Sequence, residues 1–410
     1  MHDAEGRRAG GAADAVDGVV PRWVAEPASQ EGVARTLTQA AADGHSVLVQ
    51  GGGTKLGWGP RLETIDVLLR TGRLNEVVAH RHGDLTATMQ AGTTLAATNE
   101  RLGQYRQWLA LDPPDSTRAT VGGILATNDA GPRRHRHGAP RDLIIGMTLV
   151  RADGVTAQSG GIVVKNVAGY DVARLLTGSF GSLGVIVDAT FKLAPLADAS
   201  RTVVVELSDA PLVAAYATDL LSRGSTPAAI ELATDPLRVI LKFESLESVT
   251  AGQAEEAMAL ATSHGGVGQL LDADAQDQFW TGHERRVFAE EGTLLKAVVM
   301  PADLASSLSW LDEAAASRGL SYVLTGQAAL SVLHLRLMGP AEQQAALVSA
   351  WRERLTLGRG SVVVRRASAE LKALTDVWGP LGDTFEVMRE VKRRFDPRAT
   401  LNPGRGPGGL

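Results

Sequence analysis

Three glycines in a row, Gly51, Gly52 and Gly53, follow at once on the apolar run Ser46-Val47-Leu48-Val49 and lead into Thr54. A strand that ends in consecutive glycines turns sharply and leaves main chain uncovered. Its N–H groups can then approach an anion such as a phosphate. The two familiar phosphate motifs do not fit. A Walker loop ends in Gly-Lys-Ser/Thr, whereas the order here is Gly53-Thr54-Lys55. A dinucleotide fingerprint begun at Gly51 needs a glycine where Leu56 stands. Taken alone, a glycine-rich turn between strands is common.

The surroundings narrow the choice. The chain has 410 residues, room for two or three domains, and 44% of them are apolar. Residues 21–196 are dense in glycine and alternate short apolar runs with turns. Helical spacing marks residues 31–42, with Ser29 as the cap, and residues 94–102. Residues 47–49, 76–78, 85–90, 144–150 and 184–193 read as strands. The mixture is not a regular βαβ series, so the fold class is α+β. Beyond Pro195 glycine thins out. Strand-like runs at 202–207, 238–243 and 332–337 then alternate with Ala-rich helices at 212–221, 254–263, 302–317 and 341–355. That pattern describes a second α+β domain with an antiparallel sheet, over 197–382. A last helix at 384–394 leads into FDPRATLNPGRG.

Composition removes several classes of function. Cysteine is absent, which excludes disulfides, thiolate chemistry, a resident iron–sulfur cluster and a cysteinyl flavin link. A net charge of −5 makes no electrostatic case for nucleic acid. No apolar run approaches a membrane span. Residues 1–20 lack the uncharged core of a signal peptide and read as a disordered tail, with a cytoplasmic location as the default.

Three further glycine-bearing segments follow the first: LDPPDSTRATVGGILATNDAG at 111–131, VKNVAGYDVARLLTGSFGSLGVI at 164–186, and FDPRATLNPG at 395–404. Together with VQGGGTKLG they resemble the FAD-binding domain of the vanillyl-alcohol oxidase, or PCMH, type. The resemblance covers roughly residues 20–195 and the C-terminal dozen. The third segment, with GGILATNDAGPRRHRHGAPRDLIIG, is similar to the FAD-binding subunits of bacterial glycolate oxidases. The resemblance implies a two-lobed FAD domain over 21–196, a cap domain, and a C-terminal segment over 383–410 that returns to the flavin.

On this reading Gly51, Gly52, Gly53 and Thr54 cradle the FAD pyrophosphate, Thr54 adding a hydroxyl. Thr120, Val121, Gly122 and Gly123 form a second wall, Thr127 and Asn128 offer polar side chains, and Pro113 shapes the approach. The alternative for Gly122 and Gly123 is tight packing alone. By resemblance Gly181, Gly184, Val185 and Ile186 lie along the ribityl chain and ring system, and Asn402 and Lys392 reach the flavin from the C-terminus. A solvated helix charge is the plain alternative for Lys392. The first loop has no histidine for covalent attachment, so the FAD is expected to be non-covalent.

Other candidates carry less. Residues 133–137, RRHRH, read as a solvated loop, or as one arginine at an anionic group. Asp171 reads as a helix cap. Trp280, His283 and Arg286 could face a substrate, but read first as helix packing with a solvated charge, and His334 reads as a hydrogen-bonded core histidine. No metal cluster and no catalytic residue is assigned. Two departures from catalytic relatives stand out: Phe180 occupies the place of an acidic residue in the late glycine motif, and the histidine-rich metal motif is missing. Both are expected of a subunit. The implied function is oxidation of a short 2-hydroxy acid, glycolate to glyoxylate, by hydride transfer to flavin. The implied partners are a second FAD-linked catalytic subunit and an iron–sulfur subunit, any contact with a membrane being peripheral and through them. The rivals are a self-sufficient FAD-linked dehydrogenase of lactate-like or sugar substrates, and a flavoprotein of assembly or electron relay.

Overall fold

The computed structural model describes residues 7–163, 169–355 and 358–410. Residues 164–168, the start of the third glycine-bearing segment, lie outside the described residues, as do residues 1–6 of the expected tail. The chain divides into two compact units. The first comprises Met1–Gly131, Gly138–Leu196 and Leu381–Leu410, the second Pro132–His137 and Ala197–Pro380. The short segment Pro132–His137 therefore goes with the second unit, a crossing that a break placed at residue 196 does not anticipate.

The smaller sheet of the first unit orders its strands Arg8–Ala9, Trp23–Ala25, Val67–Arg70, Val47–Gln50. The last three run parallel. Parallel strands are covered on both faces, so they read as unbroken apolar runs; Val47, Val67, Leu68 and Leu69 are indeed buried. Helix Gln30–Asp43 links Trp23–Ala25 to Val47–Gln50. Ser29 caps it by accepting from Gly32 N, and Val33, Leu37 and Ala40 face the core.

Residues 7–20 are not a loose tail. Arg8–Ala9 pairs antiparallel with Trp23–Ala25, and Val16 joins a core with Leu48, Leu62 and Leu68. Asp14 is buried, held by both Nη atoms of Arg8 at 2.7 Å and by Arg70 at 2.9 Å. The segment reads as disordered because it is polar and glycine-rich, but its charges are partnered once folded.

The larger sheet of this unit is antiparallel throughout, in the order Val77–Arg81, Thr86–Gln90, Val185–Lys192, Ile144–Val150, Thr156–Gly160. Residues of Leu95–Gly103 and Val121–Thr127 share its apolar core. The glycine turn at 178–184 leads straight into the central strand Val185–Lys192. After helix Phe385–Phe395 the chain returns to the smaller sheet. Leu401 bridges Val47 in parallel, with Val47 N donating to Thr400 O at 2.7 Å and Asn402 N to Val47 O at 2.8 Å.

The second unit is built on one eight-stranded sheet. Its order is Val267–Leu270, Ala199–Glu206, Arg238–Ser245, Ala229–Ala233, Ser321–Gln327, Val332–Met338, Thr293–Val299, Gly360–Arg366. Every neighbouring pair is antiparallel. Alternation sorts the side chains by face. Leu333, Leu335, Leu337, Leu295 and Ala297 point into a core shared with helices Ala210–Ser222, Glu247–Ser263, Leu304–Ala316 and Ala341–Arg354. The other face carries Glu231, Lys242, Lys296, Thr325 and His334. Part of it is covered by helix Gln276–Phe288, whose Phe279 and Trp280 pack on Val204, Ala233 and Ile240.

Candidate functional site

In the first unit the glycine segments meet around one cleft. Gly51, Gly52, Gly53, Thr54, Thr120, Gly122, Gly123, Thr127, Gly181, Gly184, Val185, Ile186 and Asn402 all line it. Thr120 joins two of these segments. It caps helix Val121–Thr127, and its Oγ1 accepts from Gly123 N and from Gly52 N, both at 3.4 Å. The glycines at 51 and 52 are there for close approach. A Cβ built on Gly51 would lie 2.2 Å from Thr120 Oγ1, and one on Gly52 would lie 1.8 Å from the Arg118 carbonyl oxygen. Gly53 is needed for conformation as well, with φ at +77°. Among the described residues the amides of Gly51, Gly53 and Thr54 have no hydrogen-bond acceptor. The second wall is different. Val121 N donates to Thr93 O and Gly122 N to Ala91 O, so these two amides are committed. A Cβ at Gly122 would come 2.8 Å from that of Ala91. Packing, not anion contact, is what requires glycine at 122.

The C-terminal segment braces the cleft. Asn402 Oδ1 accepts from Val49 N at 2.9 Å, while its Nδ2 donates to the carbonyl of Phe180. One side chain thus joins the strand before the first glycine loop to the turn of the third. Gly181, at φ +70°, leaves room for it; a Cβ there would lie 2.5 Å from Nδ2. Lys392 donates from Nζ to Ser182 O, Leu401 O and Asp396 Oδ2, at 2.8, 2.9 and 2.7 Å. Asp396 also takes the amides of Thr400 and Leu401. Burial pulls the Lys392 pKa below its ordinary value, against the opposing effect of Asp396. Arg405 donates to the carbonyls of Leu56, Trp58 and Pro60.

The second unit holds a different kind of cluster. His334 is 6% exposed and its Nδ1 has no hydrogen-bond partner. The ladder sets Lys296 and Thr325 opposite it on the two neighbouring strands. Burial presses its pKa well below the ordinary histidine value, and the positive charges of Arg365, Lys296 and Arg134 push the same way. The expectation of a hydrogen-bonded core histidine fails at Nδ1.

Comparison with known proteins identifies two domains. The FAD binding domain matches over residues 21–171, and the C-terminal domain of FAD linked oxidases over residues 373–405. The chain therefore carries the FAD-binding domain and the C-terminal domain found in FAD-linked oxidases. It is an FAD-dependent oxidoreductase of the mixed α/β, PCMH-type fold. Glycolate oxidase subunit GlcE of Escherichia coli (strain K12) is 35% identical over 42% of this chain and 49% of its own length. Glycolate oxidase subunit GlcD of Bacillus subtilis (strain 168) is 24% identical over 94% of this chain and 89% of its own. D-lactate dehydrogenase of Archaeoglobus fulgidus is 26% identical over 93% and 90%. Among solved structures, p-cresol methylhydroxylase with substrate bound is similar in fold, with a TM-score of 0.75 at 14% identity over 94% of this chain and 89% of that one.

Four residues singled out from the sequence of this FAD-linked oxidase do not line the cleft. Pro113 and Val121 are buried, Asn128 ends its helix in a left-handed conformation and accepts from Arg141 N, and Lys392 stands behind the wall. Residues that sequence reasoning missed include Lys55 and Arg405, and Phe180, noted only as a departure from the glycine motif, also lines the cleft. Lys55 pairs with the buried Asp129 at 3.4 Å, and its only signal is its place two residues after the glycine run. In the RRHRH stretch two of the three arginines, Arg133 and Arg136, are committed to Glu244 rather than solvated. Arg133 forks Glu244 at 2.6–3.1 Å, and Arg136 donates to the Glu244 carbonyl. Asp171 caps its helix by accepting from Arg174 N. Among the described residues no three of His, Asp or Glu gather as a metal site, and no helix is long and apolar enough to cross a membrane.

Proposed function

We propose that this chain is the FAD-holding subunit of a glycolate oxidase-like complex that oxidises a short 2-hydroxy acid, glycolate in the first instance, to the 2-oxo acid. The observation that carries the reading is the set of open amides at Gly51, Gly53 and Thr54, on a loop where no side chain can stand between main chain and ligand. Those three N–H groups and the Thr54 hydroxyl would hold the pyrophosphate, with Lys55 as the adjoining cation. Gly123 and Thr127 would flank it, and the 181–186 backbone would lie along the ribityl chain and ring. Asn402 and Lys392 would keep that backbone in place without touching the cofactor. When bound, FAD supplies the acceptor for the electron pair of the substrate C–H bond.

No cysteine exists in the chain, and among the described residues that line the cleft there is no histidine for covalent attachment. Non-covalent FAD follows. The same lack of cysteine would require electrons to leave through a partner that brings its own iron–sulfur cluster, beside a second FAD-linked subunit, and we place the complex in the cytoplasm. The part-length similarity to GlcE supports this arrangement.

A second reading is a self-sufficient dehydrogenase, favoured by the cationic group around His334, which suits a substrate carboxylate. Flavin reduction decides between them. The purified, FAD-loaded chain is mixed with glycolate or D-lactate, with and without the two partner subunits. Bleaching only in the presence of partners supports the subunit reading. Bleaching of the chain alone supports the second, and FAD that nothing reduces defeats both.

A further inference from the structure

Helix Gln276–Phe288 borders a pocket of the second unit that shares no residue with the flavin cleft. Phe279, Gly282, His283 and Arg286, one helical turn apart, line it from the helix, and Arg238 lines it from the end of strand Arg238–Ser245. Three nitrogens of this lining are buried without a hydrogen-bond partner: Nε of Arg238, Nε of Arg286 and Nδ1 of His283. A buried donor left unpaired is costly, and three around one opening call for a shared acceptor.

Each of the three is held from behind. Arg286 uses Nη2 on the carbonyls of Thr234 and Asp235, at 2.8 and 2.6 Å. The Arg238 guanidinium lies 5.7 Å from the centre of the Phe279 ring, and among the described residues it makes no hydrogen bond. His283 is 5% exposed, its ring stacked at 11° on Phe279 and its Nε2 3.3 Å from Glu231 Oε2. Glu231 is itself buried, and burial pushes its carboxyl above the usual range despite the His283 hydrogen bond. A ring that accepts at Nε2 from Glu231, or one that carries both protons, presents an N–H at Nδ1 to the pocket. Among the described residues no carboxylate lines the pocket; the exposed Glu206 and Asp235 act on Arg238 electrostatically.

We propose that this pocket binds a small oxyanion, a carboxylate or phosphate group, held by Arg238 and Arg286 with His283 as the third donor. Two guanidinium groups side by side, 238 and 286, repel each other until an anion lies between them. The Phe279 ring closes one side against water and strengthens the contact.

The test is calorimetric titration of the FAD-loaded protein with sodium phosphate, and separately with sodium malonate, in a buffer free of other polyvalent anions. Saturable binding of at least one is expected, weakened roughly tenfold or more in Arg238→Gln. That variant loses no hydrogen bond and should keep its FAD content and melting temperature. Phosphate alone binding assigns a phosphate site, and malonate alone a carboxylate site. Lys296→Gln, on the His334 face, should bind as the parent does. The proposal is overturned if neither anion saturates, if Arg238→Gln binds with unchanged affinity, or if Lys296→Gln abolishes binding while Arg238→Gln preserves it.

Discussion

The cleft of the first unit is made of main chain, and the polar face of the second is made of side chains. In the cleft the open groups are amides at Gly51, Gly53 and Thr54, and close packing at 51 and 52 leaves no room for a side chain. On the polar face the polar groups are His334, Lys296, Thr325 and Arg365, which come from four strands. A main-chain site tolerates almost no change at its glycines and has little chemistry of its own to alter. A side-chain site can be altered group by group while the sheet beneath it stands. The two units should therefore fail in different ways.

The largest effect is expected at Gly52. In Gly52→Val the new side chain meets the Arg118 carbonyl, main chain that cannot swing aside. FAD content of the purified protein should fall roughly tenfold or more. Flavin absorbance per protein is the measure, and full occupancy would break the claim that this loop is the cradle. The next largest is Asp396→Asn. It removes the buried negative partner of Lys392, whose ammonium then faces carbonyls alone. Leaving a buried charge unpaired costs about 3–5 kcal/mol, to be read as a lower denaturation midpoint with the flavin lost in the same transition. Asn402→Ala should do less. It cuts the Val49 and Phe180 hydrogen bonds but leaves the Leu401 bridge, so FAD should bind more weakly with the melting temperature nearly kept. A melting temperature that falls as far as in Asp396→Asn would show that Asn402 holds the fold rather than the cleft.

This contrast also explains what could be read in advance. Glycine leaves a mark in sequence whenever a backbone needs it, so the cleft was legible from its loops at 51–54, 120–123 and 181–184. The elements were legible where periodicity is strong: Val33, Leu37 and Ala40 announce their helix, and Leu333, Leu335 and Leu337 their strand. The amides of Val121 and Gly122 were misjudged because their acceptors, Thr93 and Ala91, lie about 30 residues away. Lys392 was placed at the flavin by resemblance; its pairing with Asp396 four residues on was open to view, but its contact with the Ser182 carbonyl, 210 residues away, was not. The tail at 7–20 was missed for the same reason, since Asp14 gains Arg70 only in the folded chain. Contacts distant in sequence, such as Arg133 with Glu244, leave no periodic trace at all.

The smallest expected effect separates the two units by pH. Glu244 is mostly buried in the second unit, and burial alone would raise its pKa, yet the Arg133 fork, with Lys242 at 3.8 Å, holds it below the ordinary glutamate value. A carboxyl depressed on folding contributes stability that is fully present above its unfolded pKa and is lost as pH falls through the folded one. The window is therefore the acid side of about pH 4.3, the unperturbed glutamate value. Glu244→Gln should be less stable than the parent near neutrality by roughly 1 kcal/mol, as for a partly exposed pair, and the gap should close as the pH drops through that window. FAD affinity should be the same in both proteins near neutrality, because the amides of the cleft do not titrate and Glu244 lies in the other unit. Denaturation at a series of pH values, paired with FAD titration at neutral pH, measures both. A stability gap that stays constant with pH would mean that shape rather than charge holds Glu244, and weaker FAD binding in Glu244→Gln would break the division of labour from which the comparison starts.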